Sequence, residues 1–215
     1  MMKLYSYFRS SAAYRVRIAL NIKGLPYEQV PVHLMRAGGE QRSAAYTARN
    51  PQGLVPFLEH GDTGIAQSLA IIEYLEELQP TPTLLPGTPA QRAPIRAFAQ
   101  HIACEIHPLN NLRVLQYLTG PAALSEDAKL AWYQHWIAAG LGALENDVTH
   151  RQPQGPYCFG EQVTLADVCL VPQIFNAQRF NCDLTPYPRL VAIAQHCNQL
   201  AAFVDASPSK QPDAE

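Results

Sequence analysis

Long apolar runs are missing from this sequence. No stretch reaches the ~18 residues of a membrane-spanning helix, so no membrane partner is expected. An excess of one charge is missing too: 16 lysines and arginines face 18 acids, and a formal net charge of −2 offers no general attraction to nucleic acid. Charged residues make up only 16% against 47% hydrophobic, which excludes a solvated, disordered chain and favours packed helix and sheet. Cysteine is sparse and unpatterned. Cys104, Cys158, Cys169, Cys182 and Cys197 form an odd set with no C-x-x-C spacing, as expected of reduced thiols in a cytoplasmic protein. Met1-Met2-Lys3-Leu4 runs into a strand-like segment without the basic stretch and apolar region of a signal peptide, which points the same way. His101, Glu105 and His107 do not have the i, i+4 histidine spacing of a helical zinc site, and no metal is expected.

What is present divides into two classes of pattern. With 215 residues the chain has room for two domains. Residues 1–80 mix strand and helix signals, residues 93–215 read almost entirely as helix, and the proline-rich stretch 81–92 between them is read as a linker. In the first part, Lys3–Tyr7 suggests a strand, and Ser10 or Ser11 can cap a helix that runs to about Lys23 before Gly24 and Pro26 end it. Tyr27–Leu34 alternates as a strand that Pro31 confines to a sheet edge. A short helix within Met35–Arg49, strands at Leu54–Leu58 and Ile65–Gln67, and a helix from Ser68 to Leu78 complete the order. That order resembles a thioredoxin-like α/β domain. Gln91–Tyr117, Ser125–Asp147 and Leu184–Ala202 are the plainest helices of the second part. Thr164-Leu165-Ala166-Asp167 has capping-box spacing, which makes Asp167 a folding device rather than a catalytic group. Ser207–Glu215, polar with two prolines, is expected to be loosely held.

Three features of the first part suit a small thiol peptide. Arg9-Ser10-Ser11 opens a helix, where free N–H groups and the helix dipole stabilise an anion such as a thiolate, whose parent thiol titrates near ~8.5 in water. Leu54-Val55-Pro56 puts a proline in what reads as a central strand; with a cis Val55–Pro56 bond, the Val55 N–H and C=O could pair with an extended peptide. Gln67-Ser68 begins the next helix, a place for a carboxylate. Each alone reads more simply as ordinary capping or strand ending; together, in this order and near these spacings, they are specific.

The segment Ser10-Ser11-Ala12-Ala13-Tyr14-Arg15-Val16-Arg17-Ile18-Ala19-Leu20 resembles the zeta-class glutathione transferase signature S-S-C-x-W-R-V-R-I-A-L. Asn50-Pro51-Gln52-Gly53-Leu54-Val55-Pro56 and Gln67–Leu75 are similar to that superfamily's glutathione-site strand and helix, and the likeness continues through Ile106–Asn111, Leu165–Asp167 and Asp183–Pro188. The helix Cys104–Arg113 and the Gln178-Arg179-Phe180 segment look like the bacterial maleylpyruvate isomerases. The signature cysteine is Ala12 here and the tryptophan is Tyr14, so no protein thiol at position 12 can act.

This resemblance implies a glutathione transferase fold: a thioredoxin-like α/β N-terminal domain followed by an all-α C-terminal domain. It also implies glutathione as cofactor. Ser10 or Ser11 would face the sulfur, Val55 would pair with the cysteinyl main chain, and Gln67 and Ser68 would bind the γ-glutamyl end. Gln52, His107 and Asn111 would add contacts. The implied substrate is a small dicarboxylate keto acid, maleylpyruvate or maleylacetoacetate, isomerised cis to trans; the planar fork of arginine suits its carboxylates, with Arg9, Arg113 and Arg179 as candidates. A general transferase acting on electrophiles or haloacids, and a non-catalytic binding module of the same fold, are the rival readings. The resemblance further implies a homodimer.

Overall fold

The computed structural model describes residues 1–151 and 154–215 and divides into two units, Met1–Thr83 with Gln199–Glu215 and Leu84–Asn198. The first unit is built on a four-stranded sheet in the order β2-β1-β3-β4, comprising β1 (Met2–Ser6), β2 (Tyr27–Pro31), β3 (Phe57–His60) and β4 (Thr63–Ala66). β1 and β2 run parallel, with Leu4 opposite Gln29, while β3 is antiparallel to both β1 and β4. Pro31 lies at the edge strand, where its missing N–H breaks no interior ladder. The second expected proline position moves. Pro56 is not within a strand but directly before β3, and its peptide bond to Val55 is cis.

Helix α1 (Ser11–Lys23) is capped at its start by Ser10 and at its end by Gly24, whose φ of 62° is the left-handed conformation that glycine adopts without a Cβ penalty. Its sequence shows little amphipathic character because it is buried on nearly every side: Ser11 through Leu20 are all shielded from solvent. α1 packs on α3 (Ser68–Leu78) and on α9 (Ala201–Val204), and the short α2 (Ala44–Thr47) lies between β2 and β3 in sequence. Lys23, 5% exposed, joins α1 to α3 through Glu76 at 2.5 Å and also donates to the Pro82 carbonyl at 2.6 Å.

The second unit is helical, with α4 (Pro89–Gln100), α5 (Leu112–Thr119), α6 (Glu126–Arg151), α7 (Leu165–Arg179) and α8 (Pro188–Cys197). Together with the mixed sheet of the first unit, this is the glutathione transferase architecture expected. Three expected elements differ in extent. Helix begins at Pro89, inside the stretch read as linker, because Thr88 and Gln91 form a capping box around it. The single helix read over Gln91–Tyr117 is interrupted by a π-helical turn (His101–Ile106) and a 3-10 turn (Pro108–Asn110): Pro108 has no N–H to continue the ladder, and Asn111 caps a fresh helix. The helix read over Leu184–Ala202 is two helices, α8 and α9, which belong to different units.

Residues 199–215, assigned from sequence to the helical domain and with a loosely held end, pack on the first unit instead. The cause is one face of α1. Tyr14 Oη donates to the Phe203 carbonyl at 3.2 Å, Arg17 Nε to Ala206 at 2.9 Å and Asn21 Nδ2 to Ala202 at 3.0 Å, a set spaced as successive turns of one helix face. Gln211, 7% exposed, then closes the segment on itself through the carbonyls of Asp205 and Ser207. In the second unit, Asp167 is fully buried and accepts from the Cys158 and Thr164 amides and the Thr164 hydroxyl, each at 2.8 Å. Burial pushes its carboxyl above the ordinary range and these bonds oppose the shift. Its work is capping.

Candidate active site

In the first unit the chain leaves β1 at Ser6 and crosses a short loop, Tyr7–Ser10, before entering α1. Ser10 has extended backbone, and its Oγ accepts the Ala13 amide at 3.2 Å, satisfying one of the orphan N–H groups of the first turn. The same hydroxyl keeps its hydrogen for a second partner. Ser11, the first helical residue, is only 3% exposed, whereas Ser10 is partly open to solvent. Ala12 replaces any thiol on that turn, and Arg9 is exposed, with its guanidinium 4.7 Å from the Phe8 ring centre.

A second element of the site comes from residues 50–55. Asn50 is 1% exposed; its amide donates to the Leu54 carbonyl at 2.7 Å and its carbonyl oxygen accepts the Gln52 amide at 3.2 Å. Tyr46 Oη also donates to Leu54, at 2.6 Å, from a phenol that burial pushes up to about 12 and so keeps protonated. These bonds fix the turn that presents Gln52 and Val55. Among the described residues nothing bonds to the main-chain N–H or C=O of Val55, which leaves one backbone donor and one acceptor ready for a peptide.

The third element is the start of α3. Gln67, exposed and with φ of 73°, is a non-glycine residue in a sparsely populated backbone region, and Ser68 behind it is 6% exposed. Gln67 Nε2 donates to Gln52 Oε1 at 2.6 Å, so the structure brings these two predicted residues together. Ser68 Oγ accepts from Arg15 Nη1 at 3.3 Å, which links the α3 start to the signature helix.

In the second unit, His107 lies where the π-helical turn gives way to Pro108–Asn110, and Asn111 caps α5 by accepting the Arg113 amide at 3.1 Å. The turn is pinned to α6: Trp132 Nε1 donates to the Leu109 carbonyl at 2.9 Å and Asn110 Nδ2 to that of Tyr133 at 3.3 Å. Arg113 is exposed on α5. Arg179 is exposed at the end of α7, with its guanidinium 4.7 Å from the ring centre of Phe180, which itself stacks on Tyr133 at 3.9 Å. Burial pushes the Tyr133 phenol well up, so it remains neutral.

The reading from sequence overlooked the two arginines of the signature itself. Arg15 and Arg17 are 1% and 0% exposed. Arg17 donates to Ser6 Oγ at 3.0 Å, to the Phe8 carbonyl at 3.0 Å and to Ala206 at 2.9 Å, gripping the loop that carries Arg9 and Ser10. Desolvation pulls its pKa down to about 10, which still leaves the guanidinium charged at neutral pH. The R-x-R spacing within an otherwise apolar helix was the available signal. Among the described residues no group of histidine, cysteine and acidic side chains is arranged to hold a metal ion, and no helix is long and apolar enough to cross a membrane.

Residues 4–83 match the family model described as glutathione S-transferase, N-terminal domain. A probable maleylacetoacetate isomerase of Vibrio cholerae serotype O1 is 52% identical over 98% of this chain and 97% of its own. A solved holo structure of a maleyl pyruvate isomerase, described as a bacterial glutathione S-transferase in the zeta class, superposes with a TM-score of 0.96 at 47% identity, covering 99% of this chain and 100% of that one. A maleylacetoacetate isomerase from Methylobacterium extorquens AM1, solved with bound malonate and glutathione, superposes with a TM-score of 0.94 at 39% identity, covering 99% of each chain.

Proposed function

Because the chain belongs to the zeta-class glutathione transferase family, we propose that it is a glutathione-dependent cis–trans isomerase of a small maleyl keto acid, maleylpyruvate or maleylacetoacetate. The observation that carries this reading is the donor set of the first unit: a helix N-terminus with the Ser10 hydroxyl, the unpaired main chain of Val55, and the Gln52–Gln67 pair beside Ser68. Those groups fit a thiol tripeptide in order: sulfur at α1, cysteinyl main chain at Val55, γ-glutamyl end at the start of α3. When bound, glutathione supplies a thiolate that adds reversibly to the maleyl double bond and so leaves a single bond free to rotate.

The chain's own residues do the rest. Ser10 is preferred over Ser11 as the sulfur's partner, since its oxygen is held by the Ala13 amide while its hydrogen is left to donate outward. The first-turn N–H groups and the dipole of α1 favour the thiolate over the thiol. Gln67 and Ser68 hold the γ-glutamyl carboxylate, and Gln52, bonded to Gln67, adds a polar contact. Arg9 in the first unit, and Arg113 and Arg179 in the second, are each candidates to bind a carboxylate of the substrate, and the one beside it stabilises negative charge as it moves toward the keto oxygen.

Purified protein should convert maleylpyruvate and maleylacetoacetate to their trans isomers only when glutathione is added, with glutathione recovered unchanged. Conversion at the same rate without glutathione, or its consumption in step with substrate, would sink the reading. The comparison of the two rates also identifies the preferred substrate. The assembled form proposed is a homodimer, and light scattering of the purified protein should give twice the chain mass; the mass of one chain would overturn that.

A further inference from the structure

The residues that carry Arg9 and Ser10 are anchored from the far end of the sequence. Asp213 Oδ2 accepts the Phe8 amide at 3.0 Å, and its other oxygen accepts Gln29 Nε2 from the edge strand β2 at 3.0 Å. Phe8 is 3% exposed, so its N–H would otherwise be buried away from water. On the other side of the same residue, Arg17 takes the Phe8 carbonyl at 3.0 Å. The loop has no ladder of its own; its internal tie is the Ser10 amide to the Tyr7 carbonyl at 2.9 Å. We propose that Asp213 is a positioning residue for glutathione, holding the Tyr7–Ser10 loop so that Ser10 and the first turn of α1 stand ready for the sulfur.

The inference rests on the isomerase reading above and deepens it. A purely structural role for Asp213 is the alternative, but the segment is already secured without it. Arg17 and Tyr14 bind the carbonyls of Ala206 and Phe203, and Gln211 binds those of Asp205 and Ser207. Glu215 is held by Arg36, with His33 Nε2 3.5 Å away. What Asp213 adds is therefore local: it fixes one peptide that is followed directly by Arg9 and Ser10. Displacing a binding group by ~1 Å is enough to lose much of its effect.

The test compares glutathione affinity by equilibrium titration, kcat, thermal midpoint and hydrogen exchange of the Phe8 amide in the full chain and four variants. Asp213→Ala should weaken glutathione roughly tenfold and speed Phe8 exchange, by loss of one charge-assisted bond to a buried amide. Asp213→Asn, which keeps an acceptor oxygen, should recover affinity to within about threefold of wild type. Gln29→Ala loosens the carboxylate without touching the loop and should weaken glutathione about threefold. Glu215→Gln should stay within about twofold, because its partners are Arg36 and His33 and it makes no bond to the Phe8 peptide that Asp213 holds. If Asp213→Ala lowers the thermal midpoint but leaves affinity and kcat within about twofold, the residue is only structural and the proposal fails. Were the wild-type chain to bind no glutathione, the isomerase reading itself would fall. Unchanged Phe8 exchange in Asp213→Ala would overturn the anchor independently.

Discussion

Ser10→Ala is expected to lower kcat/KM for glutathione-dependent isomerisation about 100-fold at neutral pH, the range seen when one preorganised donor is removed from developing or resident negative charge. The sign of its pH dependence follows from the same bond. A hydroxyl that donates to the thiolate favours the charged form, so its removal raises the pKa of the bound thiol. The rising limb of the pH–rate profile should therefore move to higher pH, by about one to two pH units for a loss of about 1.4 to 2.8 kcal/mol. Ser10→Ala also removes the cap on Ala13, at about 1 kcal/mol of stability, which a melting curve separates from the kinetic effect. Ser11→Ala, at a 3% exposed position, should leave the pH limb in place. A shift with Ser11→Ala and none with Ser10→Ala would reverse the assignment of the two serines.

Arg17→Met is expected to produce the largest loss of stability, about 3 kcal/mol or more. The side chain is fully buried, and truncating its head strands the carbonyls of Phe8 and Ala206 and the hydroxyl of Ser6. Each stranded buried acceptor costs about 1 to 3 kcal/mol, offset in part by no longer burying a charge. For a chain of this size the thermal midpoint should fall by about 6 to 12 °C. Arg17→Lys restores charge but not the fork that reaches the loop and Ala206 together, and should recover little of the loss. A melting temperature within about 2 °C of wild type for Arg17→Met would show that the loop is held by other means.

Much of this was legible along the chain. The strand and helix order of residues 1–80, a serine cap at Ser10 or Ser11, the Gly24 terminator, the edge strand marked by Pro31 and the Thr164–Asp167 capping box all depend on neighbours within a few positions, and local chemistry reads them directly; the structure assigns the cap to Ser10. The candidate groups Ser10 or Ser11, Val55, Gln67 and Ser68 were nameable for the same reason, since helix starts and prolines punctuate a sequence. Boundaries shifted where competition with a neighbour decides them, as at Phe57, where β3 begins only after Pro56, and at Asn111, where α5 restarts beyond Pro108.

By itself, then, the sequence determined the two classes of architecture and the kind of ligand the first unit suits, because helix caps, alternation and proline placement act over a few residues. Tertiary structure alone decided that Arg15 and Arg17 turn inward, that Gln52 meets Gln67, and that Asp213 reaches Phe8. Arginine is so rarely buried that pattern reasoning places it at the surface, and only the carbonyls of a distant segment, folded against α1, make its burial favourable.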